Sequence, residues 1–117
     1  MNRRTFLMGR LQAFSEISSA QLLGLEAEEH LQQQIMDLAT LTGWLCYQTH
    51  DSRFSPSGFP DLVLVRGDRL VVAELKSAVG KLTREQQMWL EALQASGHVE
   101  MYTWRPADWA QIEGALR

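Results

Sequence analysis

Pro60-Asp61-Leu62-Val63-Leu64-Val65-Arg66-Gly67-Asp68-Arg69-Leu70-Val71-Val72-Ala73-Glu74-Leu75-Lys76 is the stretch on which the fold turns. Its two β-rich runs, residues 62–65 and 70–73, flank Arg66-Gly67-Asp68-Arg69, a combination that predicts a hairpin. If Gly67-Asp68 forms a two-residue turn, Arg66 faces Arg69, Val63 faces Val72 and Asp61 faces Glu74. A three-residue turn would instead set Asp61 opposite Leu75.

The first register has a chemical consequence. Directly opposed residues on neighbouring strands hold their Cβ atoms roughly 4.5–5.5 Å apart, so two carboxylates there repel each other. A divalent cation removes that cost. Mg²⁺ is commonly held by one or two carboxylates, with water and phosphate oxygens completing its shell. Lys76 shares the strand face of Glu74, because side chains alternate with period two. Acid, acid and ammonium on one patch suit metal-dependent phosphodiester hydrolysis.

Three segments carry a family resemblance: Ser57-Gly58-Phe59-Pro60-Asp61-Leu62-Val63-Leu64, Ala73-Glu74-Leu75-Lys76-Ser77 and Gly80-Lys81-Leu82-Thr83-Arg84-Glu85-Gln86. In this order the chain resembles the PD-(D/E)XK nuclease superfamily and, within it, the VRR-NUC (virus-type replication-repair nuclease) branch, over residues 26–109. The resemblance implies an α/β fold with a restriction-endonuclease-like core and a Mg²⁺- or Mn²⁺-dependent endonuclease acting on DNA. It implies Asp61, Glu74 and the Leu75 carbonyl as metal ligands, and Lys76 as the group that positions water and balances charge. Compact members resemble Holliday-junction resolvases, so a homodimer working on branched DNA is the expected form. A flap, nicking or general endonuclease, and a non-catalytic nucleic-acid-binding subunit, are the competing readings.

The chain has 117 residues, enough for one domain with one core. Residues 26–117 are expected to form the nuclease domain, with residues 1–25 an extension in which Thr5 to Phe14 suit a short helix. The one cysteine, Cys46, excludes an internal disulfide, and no apolar run is long enough for a membrane span; an intracellular, cytoplasmic protein is expected. The net charge of −3 is unusual for a nucleic-acid binder, but its distribution is uneven. Six basic residues (Arg53, Arg66, Arg69, Lys76, Lys81, Arg84) meet three acids between Arg53 and Arg84, and the flanks are acidic. That excess places cations where phosphates would lie. Arg53, Ser57, Lys81 and Arg84 are the candidate DNA contacts.

Periodicity and caps predict a helix from Glu26 to Gly43, a strand over residues 44–49 and a loop over residues 50–59. After the hairpin come a helix capped by Thr83 and closed by Gly97, a strand over residues 99–104 and a last helix opened by Pro106. The order αβββαβα predicts an antiparallel meander plus one parallel strand, because the connection from the Glu74 strand to the Val99 strand is long enough for a crossover. In the first helix Leu31, Ile35 and Leu38 define the buried stripe. Glu28 lies at its end and matches the family's helix glutamate, making it a candidate metal ligand; Glu29 is the alternative, and a dipole-favoured first-turn acid is the competing explanation. Gln86 either completes a capping box with Thr83 or, as the family pattern suggests, orients groups in the site. Trp44, Trp89, Trp104 and Trp109 are expected to serve the core. His30, His50 and His98 lack zinc-site spacing.

Overall fold

The computed structural model describes residues 19–49 and 57–117. The expected Thr5–Phe14 helix and the loop residues His50 to Arg53 lie outside the described residues. The first helix, α1 (Ser19–Leu41), is already helical upstream of Glu26, because no proline interrupts the stretch and Gly24 alone only weakens a helix. Its end is a Schellman motif built on Gly43. With φ +84° at Gly43, Gly43 N donates to Thr40 O (3.5 Å) and Trp44 N to Ala39 O (2.9 Å).

Four strands follow: β1 (Leu45–Gln48), β2 (Leu62–Arg66), β3 (Arg69–Leu75) and, after helix α2 (Arg84–Ala95), β4 (Glu100–Trp104). A 3₁₀ turn (Pro106–Asp108) leads into α3 (Trp109–Leu116). The strands lie in sequence order, β1-β2-β3-β4. The first three are antiparallel and β4 runs parallel to β3. This is the mixed sheet expected of a restriction-endonuclease-like core.

The hairpin closes on Arg66 opposite Arg69 and pairs Val63 with Val72 and Leu62 with Ala73. Gly67 takes φ +60° at the first central position, and Asp68 keeps a negative φ, the φ pattern of a type II′ turn. The two-residue turn is therefore the one adopted, and the ladder points Asp61 at Glu74.

Alternation sorts the strand residues between two faces. Leu62, Leu64, Val71, Ala73, Leu75 and Trp104 are essentially inaccessible and pack with Leu31, Ile35 and Ala39 of α1 and Ile112 and Leu116 of α3. Leu38, expected in the buried stripe, is only partly buried and Ala39 takes its place. On β3 every residue from Val71 to Leu75 is buried, so the strand is covered on both sides. Strand β1 is a sheet edge, with Leu45 and Tyr47 exposed.

Arg66 was expected to add to the positive field over the site. Instead it ties two helix ends together. Its guanidinium donates to Thr42 O (2.9 Å), Leu116 O (3.2 Å) and Arg117 O (2.9 Å), carbonyls that a helix terminus leaves without intrahelical partners. It also lies 4.5 Å over the Trp44 ring, whose Nε1 donates to Leu116 O at 2.8 Å. Arg69 is likewise engaged, bidentate to Glu100 at 2.8 and 2.8 Å. Both arginines sit at the hairpin tip, at the opposite end of β3 from Glu74, roughly 17 Å away at the usual strand rise.

Arg66→Ala is expected to destabilise the fold by on the order of 2–3 kcal/mol, seen as a lower urea midpoint with an unchanged slope. Arg66→Lys should recover less than half, because one ammonium cannot span three carbonyls. An unchanged midpoint in the alanine variant would remove the clamp from this account.

Candidate metal centre

The site forms where β2 begins and β3 ends. Asp61 precedes β2, and its Oδ2 accepts a hydrogen bond from Leu75 N at 2.8 Å. Its own carbonyl accepts from Thr49 N at 2.8 Å, so the residue is held by both neighbouring strands. Glu74 stands on the β3 face opposite the core and is only 3% exposed. Lys76, also buried, brings Nζ to 3.9 Å from Glu74 Oε1, and its backbone N donates to Trp104 O at 3.0 Å.

Gln86 fulfils both of the roles open to it. Thr83 Oγ1 accepts from Gln86 N (3.1 Å), and Gln86 Oε1 accepts from Thr83 N (2.8 Å), completing the capping box of α2. The other end of the same amide, Nε2, donates to Glu74 Oε1 at 3.1 Å. Gly58 makes this approach possible. It sits at φ +92°, and a Cβ there would lie 2.5 Å from the Glu85 carbonyl carbon and 2.8 Å from Gln86 N. The chain entering β2 thus rests directly on the backbone of the first turn of α2.

The electrostatics of Glu74 are extreme. Burial, followed by the adjacent Asp61 carboxylate, pushes its carboxyl up to about 9; Glu28 adds to the rise, and Lys76 opposes it. Glu74 Oε1 has Gln86 and Lys76 beside it, whereas Oε2 is buried with no donor of its own, and Asp61 is the side-chain partner left to the Glu74 carboxyl. A buried carboxylate oxygen left unpaired is costly, and a cation is the partner that both acids would accept. Among the described residues no three His, Cys, Asp or Glu side chains converge into a ready-made cage. The donor set is two carboxylates, which fits a hard cation that keeps much of its water.

The other expected site residues are distributed around this pair. Glu28 Oε1 accepts from Ser77 N at 3.2 Å, which places it beside the loop after Lys76. Glu29 is the more buried of the two, at 9% exposure. The Leu75 side chain belongs to the core. Ser57, Lys81 and Arg84 are exposed, and Arg53 lies outside the described residues. Cys46 is half-buried, and burial raises its thiol pKa, which leaves it a poor nucleophile.

Arg105 was not anticipated. Its Nη1 donates to Ser77 O (2.6 Å) and Gly80 O (2.7 Å), clamping the loop that carries the Ser77–Glu28 contact. That loop is closed further by Gly80 N donating to Ser77 Oγ at 2.9 Å. Only the parallel register, with Leu75 beside Trp104, brings Arg105 alongside Lys76. Nothing local to Arg105 announces it.

The two glycines give a contrast. Gly58→Ala should destabilise the protein by roughly 3 kcal/mol, the sum of a left-handed backbone and a steric collision, and should separate Gln86 from Glu74. Gly67→Ala, also at positive φ but with nothing within 4 Å of its Cβ, should cost only about 1 kcal/mol. Equal midpoint shifts in chemical denaturation would contradict this.

Glu74 also sets a pH dependence. Between its ordinary value of 4.5 and about 9, the folded, metal-free protein holds a proton that the unfolded chain has released. Its stability therefore falls as pH rises through that window, by on the order of 3 kcal/mol at pH 7. Glu74→Gln should flatten the trend and stabilise the metal-free protein. Denaturation curves at several pH values in chelator check this, and a wild-type protein with rising stability would refute it.

A family model for the VRR-NUC domain matches residues 7–103, a span that holds Glu28, Asp61, Glu74, Lys76 and Gln86 and stops before Arg105 and α3. No curated protein and no solved structure matched the chain. The match covers most of the sequence, and the fold and the paired acids agree with it: the chain belongs to the VRR-NUC family and carries a nuclease domain.

Proposed function

We propose that the protein is a Mg²⁺- or Mn²⁺-dependent endonuclease that hydrolyses DNA phosphodiesters, working as a homodimer on branched, junction-like DNA. The observation that carries the chemical part is the buried Glu74 carboxyl, with Asp61 as its acidic neighbour and no donor on Oε2, and with an ammonium and a carboxamide at its other oxygen.

Asp61 and Glu74 would hold the cation, with the Leu75 carbonyl and Glu28, directly or through water, as further oxygen donors. Such a cation supplies Lewis-acid stabilisation of charge on the phosphate and a lowered pKa for water at the site. Gln86 fixes the orientation of Glu74 through Oε1, so its other oxygen stays turned to the centre. Lys76 Nζ donates to the incoming water and balances negative charge on the five-coordinate phosphorus. The water oxygen forms one P–O bond as the bond to the leaving oxygen breaks; the proton the water gives up passes to bulk solvent, and solvent water protonates the departing alkoxide, so no net proton is made or lost in the transfer. Exposed Lys81, in the loop before α2, and exposed Arg84, the first residue of α2, would meet backbone phosphates nearby. Symmetry supports a dimer: one domain presents one centre, and a two-fold pair would present two symmetric ones to a four-way junction.

The test is cleavage of labelled four-way junction, flap, duplex and single-stranded DNA in Mg²⁺, Mn²⁺ or chelator. Lys76→Ala and Asp61→Asn are expected to lose at least about a hundredfold in rate while remaining folded. Full activity in either variant would overturn the assignment. Symmetric junction cutting by a particle of twice the chain mass in sedimentation supports the resolvase form. A monomer that prefers flaps or nicks keeps the nuclease and discards the junction.

A further inference from the structure

Trp89 does not join the core, the place expected of all four tryptophans. Trp44 and Trp104 are core residues, and Trp109 packs against the core, but Trp89 is only half-buried and forms one wall of an open groove of about 320 Å³. Ser57, Glu85, Met88 and Ala92 complete the lining. The size is at the small end for sites that take small organic groups; it admits one planar ring system. The wall is braced, because the Phe59 ring meets Trp89 edge-on with centroids 5.1 Å apart. Met88 is 60% exposed, a large polarizable side chain of the kind that packs well on aromatic rings.

The groove adjoins the metal centre. Its rim residues Ser57 and Glu85 belong to the two segments that meet where Gly58 touches Glu85 and Gln86, and Gln86 in turn touches Glu74. On the nuclease reading, a group entering it would lie beside the phosphate being cut. Charge decides which part. The exposed Glu85 carboxylate on the rim repels a phosphate but accepts a hydrogen bond from an exocyclic amino group, as carboxylates do from cytosine N4. An apolar, aromatic floor with an acid at the lip fits a base and not a backbone.

We infer that this groove receives one unstacked nucleobase next to the scissile phosphate, with Trp89 and Met88 as its stacking surface. The inference rests on the nuclease reading and deepens it. The enzyme would select DNA in which that nucleotide is free to leave the stack, as at a branch point or in a single strand, because extrusion costs least there.

The experiment uses the best-cut DNA with a single abasic site moved through the positions around the cut, and wild type beside Trp89→Ala, Trp89→Phe and Met88→Asp. Wild type should lose about tenfold in kcat/KM at one flanking position. Trp89→Ala should lose a similar factor on intact DNA and be indifferent to the abasic site at that position, whereas Trp89→Phe should behave nearly as wild type. Met88→Asp, at an exposed position, should reproduce Trp89→Ala without disturbing the fold. In parallel, 2-aminopurine at that position should change its fluorescence on binding to wild type and not to Trp89→Ala. Identical abasic profiles in wild type and variants would overturn the inference, as would a Met88→Asp protein whose profile is normal but whose assembly mass has changed, since the groove would then be a protein contact. If wild type cuts nothing yet the 2-aminopurine response depends on Trp89, the nuclease reading fails and the base site stands.

Discussion

Two carboxylates are forced together by a backbone register, and much of the molecule can be understood as the means of tolerating that. The type II′ turn at Gly67 sets the alignment of β2 with β3, and the alignment carries Asp61 to Glu74. Mutual repulsion in a buried setting is severe. The fold answers with fixed donors: Leu75 N on Asp61, Gln86 Nε2 on Glu74, and the Lys76 ammonium at the edge of contact. None of them reaches Glu74 Oε2. The residual cost stays in the protein as a proton held above its ordinary range.

The scaffold is arranged to keep this end of the sheet rigid while the rest carries stability. Arg66 gathers the C-terminal ends of α1 and α3 at the hairpin tip, and Arg105 grips the loop after Lys76 at the other end. Each arginine is used for its fork of donors on carbonyls, a task a lysine performs poorly. Arg66 and Arg69 are thereby committed to the fold, and among the described residues Lys76, Lys81 and Arg84 remain of the basic set between Arg53 and Arg84.

Much of this was legible in the sequence because the signals are local. Gly67-Asp68 between two β-branched runs announces the hairpin, Thr83 with Gln86 announces the cap, and the length of chain between Glu74 and Val99 announces the parallel strand. The Asp61–Glu74 pairing follows from counting along the ladder. What escaped depends on contacts between distant segments. The roles of Arg66 and Arg105 require knowing where helix ends and strand ends meet, and a charge count cannot distinguish a free guanidinium from one already bonded. Trp89 has the helical spacing of a core residue relative to Gln86 and Leu93, but α2 covers only part of the sheet and leaves it at the margin. The stripe draws attention to Glu28 in the sequence, whereas its contact with Ser77 needs the loop that Arg105 shapes.

The carboxamide of Gln86 joins two equilibria that are separate in most proteins. One end closes the first turn of α2 through Thr83; the other holds Glu74. Fraying of that turn releases the carboxylate, and any change in the charge of Glu74 is felt by the helix terminus. By linkage, whatever binds Glu74 becomes a ligand of the first turn of α2 as well, and the local opening of that turn becomes a term in its affinity.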